Sequence, residues 1–236
     1  MHLTNILLIM RQLLNLLTFF FLIMTVIAAC NKDSDEFRAE DYDGYYWSEG
    51  KKIPLQKMNN KFYVMFYSEN ENKLYEELAM SNLTLSDVSM EMKYYRPLDI
   101  TNVVKPTFDI FDKFGNCKFA NIYGSYEKVV AALNHTLYWT PYYKNNDGLE
   151  LWVSYLINVE LKPGASWAQL KRLAGKYNLE WIEQESYSRR QYTLFCNNQS
   201  KGNALQIANL FHNSGLFDYV RPPIFKSEEY IRIINH

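Results

Sequence analysis

Histidine, serine and aspartate are the residue types that nucleophilic hydrolysis needs, and their arrangement here does not favour that chemistry. The four histidines are His2, His135, His212 and His236. No G-x-S-x-G segment supplies an activated serine for any of them. His135 and His212 occupy matching places near the ends of two similar helical segments, a position typical of a structural role. We therefore predict a protein that is not an enzyme.

Metal, phosphate and glycosidase chemistry are not favoured either. No histidines are spaced i,i+4 and no cysteine–histidine cluster occurs, so no metal site and no cofactor are predicted. No G-x-x-x-x-G-K-[ST] loop is present to hold a phosphate. Glu183 and Glu185 share the face of a predicted strand, but scattered strand carboxylates are more often surface residues than a glycosidase pair. We expect a binding or structural function instead.

Cys30 is the residue with the clearest chemical prediction. An apolar stretch from Leu13 to Ala29 follows Arg11 and ends in Ile27-Ala28-Ala29-Cys30, which is typical of the lipobox of bacterial lipoproteins. Residues 1–29 are then a signal peptide, and Cys30 carries the acyl chains that attach the protein to a lipid membrane. A cleaved secretory signal or a short membrane anchor are the alternatives.

The segment after Cys30 and the overall charge bear on location and partners. Residues 30–44 read as a polar tether that begins with mostly acidic residues, a pattern similar to surface-export signals in one group of Gram-negative anaerobes. We predict a lipid-anchored protein of the cell envelope, on the outer membrane, with display at the cell surface and retention on the inner leaflet as the two alternatives. The formal net charge of −1 argues against nucleic acid as a partner, since a basic stripe is then expected.

The rest of the chain contains an internal repeat. The strand-like run Lys61–Phe66 and the helical pattern after it recur about 95 residues later, at Leu156–Leu161 and beyond. Amphipathic segments around residues 126–138 and 204–217 also match. The predicted fold class is α+β, with two tandem ferredoxin-like (βαββαβ) units whose antiparallel sheets carry helices on one face. We place the units at residues 45–148 and 149–226, followed by a tail at 227–236.

Local signals are strongest in the second unit. Ser166 with Gln169, and Asn203 with Gln206, have the capping-box spacing at the starts of two helices. Gly215 is placed to end the second helix in a left-handed conformation. Cys117 and Cys196 lie in apolar, strand-like surroundings and are predicted to be buried free thiols.

The run from Gly202 to Phe217 resembles the end of the pro-domain that precedes the catalytic domain in secreted subtilisin-like proteases of certain Gram-negative bacteria. The segment Tyr45 to Leu55 is similar to the opening of such pro-regions, and Trp181 and Tyr192-Thr193-Leu194 also resemble them. One departure is the basic stretch Val220 to Lys226, where these pro-regions typically lead through an acidic-Pro segment into the protease.

The resemblance implies a non-catalytic lipoprotein that binds a protein partner, a subtilisin-like protease supplied in trans, as its inhibitor or folding chaperone. A pro-domain of this kind packs its sheet on the protease and places its C-terminal tail in the substrate cleft as an extra strand. Two alternatives stay open: a glycan- or peptide-binding module of an uptake system, and the remnant of a protease gene that lost its catalytic domain. The predicted partner-binding residues of the tail are Tyr230, Ile231, Arg232, Ile233 and Ile234.

Overall fold

Residues 38–90, 117–179, 181–184 and 188–227 are described by a computed structural model. Their strands are β1 (Tyr45–Ser48), β2 (Lys51–Pro54), β3 (Gln56–Tyr67), β4 (Leu85–Met90), β5 (Cys117–Tyr123), β6 (Tyr138–Lys144), β7 (Glu150–Val153), β8 (Leu156–Leu161), β9 (Trp181–Gln184), β10 (Gln191–Phe195), β11 (Phe217–Arg221) and β12 (Ile224–Lys226). Their α-helices are α1 (Glu71–Met80), α2 (Tyr126–Ala131), α3 (Trp167–Lys176) and α4 (Ala204–Asn213). Two short 3-10 helices span Ala39–Tyr42 and Ser68–Asn70.

The strand order confirms two ferredoxin-like units. In the second unit the elements run β8-α3-β9-β10-α4-β11, and the sheet order is β11-β8-β10-β9 with every pair antiparallel. In the first unit the elements run β3-α1-β4-β5-α2-β6, and the strands lie in the order β6-β3-β5-β4. Both units therefore have the fourth-first-third-second strand order of one fold.

The larger sheet has two additional strands. β7 pairs with β6, and β12 pairs with β7, which gives the order β12-β7-β6-β3-β5-β4. The predicted boundary between residues 148 and 149 falls in the turn before β7. Both added strands lie within the predicted second unit in the sequence, yet they join the sheet of the first. The body that begins at Ala39 is a single compact unit.

The core of the first unit lies between its helices and one face of the larger sheet. Alternating residues of β3 point toward Leu74 and Leu78 of α1 and Val129 of α2, because a strand presents every second side chain to the same face. The buried residues of this core are Phe62, Val64, Phe66, Leu74, Leu78, Leu83, Ala120, Ile122, Val129, Ala132 and Leu133.

The opposite face of the larger sheet is also buried, under a layer of aromatic rings. Tyr63 of β3 stacks on Trp152 of β7, with ring centroids 4.2 Å apart, and Trp152 stacks on Phe225 of β12 at 4.5 Å. Phe119 of β5 contacts Tyr155 at 6.3 Å, in the segment that leads into the second unit. These stacked rings hold the added strands against the first unit.

Helix α4 is buried on nearly all sides, and its buried residues include the polar Gln206 and Asn209. One side packs on β8 and β11 of its own sheet. On another side the amide nitrogen of Asn209 donates hydrogen bonds to the carbonyl oxygens of Tyr42 and Tyr45, at 2.8 and 2.7 Å. The end of the predicted polar tether, residues 39–44, is thus packed against the folded body.

Candidate binding site

The helix-free face of the second sheet is polar along most of β8, although Leu156 and the buried Phe195 share it at one end. Asn158 and Glu160 of β8 lie opposite Thr193 and Gln191 of β10, so the four side chains share this face. Thr193 donates a hydrogen bond to Oδ1 of Asn158 at 3.2 Å, and Gln191 donates from Nε2 to Oε2 of Glu160 at 3.0 Å. Cross-strand hydrogen bonds therefore hold these polar side chains in place. We call the six residues of this surface the docking face: Asn158, Glu160, Gln191, Thr193, Tyr219 and Arg221.

Arg190, in the turn before β10, borders the docking face and orders its acidic edge. Its guanidinium lies 2.5 Å from Oε1 of Glu160 and 2.9 Å from Oδ2 of Asp218, and it also donates to the carbonyl oxygen of Leu161. The Arg190 side chain is 43% exposed, so these ion pairs contribute little to stability. Their effect is to fix a planar group with five N–H donors at the rim of the sheet.

Strand β11 brings two larger side chains to the docking face. Tyr219 lies opposite Glu160 and is 41% exposed, and Arg221 lies opposite Asn158. The guanidinium of Arg221 sits 5.3 Å from the ring centroid of Tyr46 in the β1–β2 hairpin. Tyrosine and arginine are the residue types enriched at the energetic centres of protein interfaces. Two of the six residues of the docking face, Tyr219 and Arg221, are of these types.

The predicted tail, residues 227–236, begins directly after β12, the edge strand of the larger sheet. Nζ of Lys61 lies 2.7 Å from Oε2 of Glu150 and donates to Oγ of Ser227 at 3.1 Å, above the ring of Tyr142. Ser227 is the last described residue. The predicted partner-binding residues Tyr230, Ile231, Arg232, Ile233 and Ile234 lie outside the described residues, and so does Cys30.

A cleft of about 220 Å³ lies between the two units. One wall is Tyr126 of α2 with Trp139 and Pro141 of β6, and the other is the loop of residues 197–203 with Gln206 of α4. The loop is tied to the first unit, since Asn198 donates from its backbone to Leu137 and from its side chain to Thr136, both at 2.8 Å. No motif in the sequence indicated this cleft, because its walls come from segments distant in the chain.

A buried polar cluster supports the floor of the cleft. The hydroxyl of Tyr143 donates to Oδ1 of Asp43 at 2.8 Å, and Nδ2 of Asn203 donates to the same hydroxyl at 3.2 Å. Lys57 pairs with Asp43 at 3.2 Å. Burial, reinforced by the Asp43 carboxylate, raises the pKa of Tyr143 well above its usual value, so the phenol stays neutral and serves as a donor.

The two repeat-related histidines have structural contacts. His212 stacks on Trp47 with ring centroids 4.0 Å apart and planes inclined by 9°, and burial lowers its pKa. Nδ1 of His135 lies 2.8 Å from Oε1 of Glu77. Within the described ranges no group of three or more His, Cys, Asp and Glu could hold a metal ion, and no helix is long and apolar enough to cross a membrane.

Cys117 and Cys196 are buried free thiols, as predicted. Burial raises the pKa of Cys117 to about 11 and raises that of Cys196 further. Since the thiolate is the reactive form, burial and a raised pKa both disfavour reaction of these side chains in the folded protein.

Comparison with known proteins finds no matching family model and no matching curated protein. Among solved structures, the small subunit of acetolactate synthase from Thermotoga maritima is 8% identical, over 72% of this chain and 96% of that chain, with a TM-score of 0.23. A protein from Bacteroides thetaiotaomicron is 14% identical, over 74% of this chain and 96% of that one, with a TM-score of 0.22. Such low TM-scores carry no weight, and the ferredoxin-like fold of both units is identified by their own strand order.

Proposed function

We propose that this chain is a non-catalytic surface lipoprotein that binds a folded protein partner through the docking face. The observation that supports this most is the contrast between the two sheets. Tyr63 and Met65 on the helix-free face of the larger sheet are buried, whereas the helix-free face of the second sheet carries the half-buried Asn158, Glu160 and Arg221 and the exposed Tyr219. A face of this kind suits a non-obligate interface, where polar groups surround a few aromatic and arginine anchors.

The partner we propose is a subtilisin-like protease supplied in trans, which the chain inhibits or helps to fold. This rests on the resemblance of residues 202–217 and 45–55 to subtilase pro-domains. In that arrangement the sheet docks on the protease and residues 230–234 occupy its substrate cleft as an added strand. A membrane attachment through acylated Cys30 would hold the inhibitor at the outer membrane, on the cell surface.

The non-catalytic role is supported by how the candidate residues are used. His212 is stacked on an indole, His135 faces Glu77, and both cysteines are buried with raised pKa values. None of the four is arranged as a base beside a nucleophile among the described residues.

Inhibition kinetics test this proposal. The chain from Asn31 onward is titrated against subtilisin-like proteases of the same organism, and we expect tight inhibition or faster refolding of the protease. Arg190→Glu places a carboxylate beside Glu160 and Asp218, and it should weaken binding by at least about tenfold. Deletion of residues 230–236 should abolish inhibition while leaving residual binding.

Lys171→Glu is the matched control, because Lys171 is an exposed residue of α3, on the helix side of the same sheet. It should bind like the parent chain. If none of these proteases is bound or slowed, or if Arg190→Glu has no more effect than Lys171→Glu, the proposed partner or the proposed face is wrong.

The cleft favours a second candidate, a glycan- or peptide-binding module. A module of this kind would keep its affinity when residues 230–236 are removed, whereas the inhibitor would not. Both units have all of their strands and helices, which is compatible with the third alternative, the remnant of a protease gene that lost its catalytic domain.

A further inference from the structure

We propose that the cleft between the two units binds one ring of an acidic sugar, a hexuronic acid, with the carboxylate held by Gln206 and the adjacent lysines. This site is separate from the docking face and does not depend on the proposed protein partner. Four features of the cleft lead to this ligand.

The first feature is an unused amide donor. Gln206 is 8% exposed and lines the cleft. Its Oε1 accepts the backbone N–H of Asn203 at 2.9 Å in the capping box. This hydrogen bond orients the side-chain amide and leaves Nε2 as the group that can donate to another molecule. In the described part of the chain Nε2 of Gln206 has no hydrogen-bond partner. Because Gln206 lines the cleft, this nitrogen can donate to water or to a ligand atom there.

The second feature is the charge of the lining. Lys57 and Lys201 both line the cleft, and Glu40 is the one acidic residue among the described lining residues. Asp43 offsets the charge of Lys57, whose ammonium group also lies 5.0 Å from the ring centroid of Tyr126, but two of the ammonium hydrogens stay available for another acceptor. The N-terminus of α4 adds a partial positive charge on the same side. Together these groups favour a ligand that carries a carboxylate.

The third feature is the aromatic wall. Tyr126 is 37% exposed and meets Trp139 edge to face, with ring centroids 6.1 Å apart. Aromatic rings of this kind present an apolar surface, and the indole N–H adds a donor. A pyranose ring offers an apolar face to such a wall and hydroxyl groups to polar neighbours such as Glu40.

The fourth feature is size. The cleft volume of about 220 Å³ lies below the roughly 300–1,000 Å³ of sites for drug-sized ligands. It therefore suits one ring rather than a long oligomer. A neutral sugar could fill the same space and accept hydrogen bonds through its hydroxyl groups, but it lacks the negative charge that strengthens hydrogen bonds from the lysines, which is the basis for discrimination.

Titration calorimetry with the chain from Asn31 onward tests the assignment, using D-galacturonate, D-galactose and acetate as probes. We expect a dissociation constant on the order of 1 mM for galacturonate, as a ligand of this size allows. Galactose lacks the charge and acetate lacks the ring, so each should bind at least about tenfold more weakly. Equal affinity for galactose overturns the carboxylate part, and equal affinity for acetate overturns the sugar part.

Gln206→Glu gives the decisive variant, because glutamate also completes a capping box but replaces the Nε2 donor with a negative oxygen. It should weaken galacturonate binding by at least about tenfold. Gln169→Glu makes the identical change in the capping box of α3, away from the cleft, and should leave binding unchanged. Far-UV circular dichroism checks that both variants fold.

If Gln206→Glu binds galacturonate as tightly as Gln169→Glu does, the proposal is overturned. A short peptide with a free C-terminal carboxylate forms the last arm, and tighter binding of the peptide than of galacturonate also overturns it. Arg190→Glu should bind galacturonate like the parent chain, so failure of the protease proposal and failure of this one are distinguishable.

Discussion

The two units share one fold but use the helix-free faces of their sheets in opposite ways. Strands β3 and β8 correspond at an offset of about 95 residues, and their helix-facing residues are apolar in both. On the other face, Tyr63 and Met65 of β3 correspond to Asn158 and Glu160 of β8. The first pair is 1% exposed at each position, whereas the second pair is partly exposed and bonded to polar neighbours.

The two sheets therefore contribute differently to the structure. The first sheet has apolar residues on both faces, so it can pack against additional segments. At its edge β6 pairs with β7, which in turn pairs with β12. The second sheet has one apolar face, which α3 and α4 cover, and its other face carries the polar residues of the docking face. A duplicated fold thus provides one unit that organises the body and one that presents a surface.

The largest expected effect comes from exchanging residues between the two corresponding positions. Met65→Glu buries a carboxylate without a cation, and because a buried unpaired charge costs several kcal/mol, we expect loss of the folded state. Glu160→Met removes an exposed ion pair and should change the free energy of unfolding by less than about 1 kcal/mol. Urea denaturation followed by tryptophan fluorescence measures both.

Similar losses in the two variants would contradict the contrast between buried and exposed faces. Met65→Leu is the control for position 65, because it keeps the apolar volume and should cost less than about 1.5 kcal/mol.

The next effect concerns whether the units unfold together. Leu74 of α1 and Leu170 of α3 are both fully buried in their cores. Leu74→Ala and Leu170→Ala should each lower the free energy of unfolding by about 2–5 kcal/mol. Since hydrogen bonds from Asn198 and Ala204 join the second unit to Leu137 and Tyr138, we expect a single transition in both variants.

Thermal unfolding monitored by circular dichroism and by fluorescence distinguishes the outcomes. Coincident midpoints from the two probes support one cooperative body. Two separated transitions in Leu74→Ala, with the later one unchanged from the parent, would indicate that the units fold independently.

A smaller effect is expected at the helix caps. Ser166 accepts the backbone N–H of Gln169 in a complete capping box, whereas Ser125, before α2, makes no side-chain cap hydrogen bond. Ser166→Ala should therefore cost about 1 kcal/mol, and Ser125→Ala should cost a few tenths at most. Chemical denaturation of the pair measures the difference, and equal costs would show that capping does not distinguish the units.

The smallest effect is a dependence on pH. Burial lowers the pKa of His212 below its usual value of 6.5, so the unfolded chain binds a proton more readily than the folded one. The contribution of His212 to stability is present above pH 6.5 and is lost as the pH falls through its lowered pKa. The drop in melting temperature between pH 7.5 and 5 should thus be smaller in His212→Gln than in the parent. An unchanged drop would exclude His212 as a contributor.

Local interactions account for what could be predicted of the fold. The capping boxes at Ser166 and Asn203 are both present, and Gly215 has a φ of +72° at the end of α4. Each depends on residues within a few positions of one another, so the sequence window contains the whole interaction. The turn before β7 is of the same kind, since Oδ1 of Asn145 accepts the backbone N–H groups of Asp147 and Leu149.

The candidate sites were predicted less well. The docking face could be predicted in part, because apolar and polar residues alternate over residues 156–161 and this alternation gives β8 one polar face. The cleft could not be predicted from the sequence, since Gln206 and Trp139 approach one another only when the units pack. Cys30 and the tail residues 230–234 lie outside the described residues, and their roles stay predictions.

By itself the sequence determined two repeats of βαββαβ, the starts of α3 and α4, and the apolar and polar faces of β8, because periodicity and capping act over a few residues. Tertiary structure decided that β7 and β12 join the first sheet, that the hydroxyl of Tyr143 donates a hydrogen bond to Asp43, and that a cleft forms between the units. Those features depend on pairing between segments far apart in the chain, and edge strands of similar composition compete for the same partners. Which of these strands pair is therefore determined only when the whole body packs.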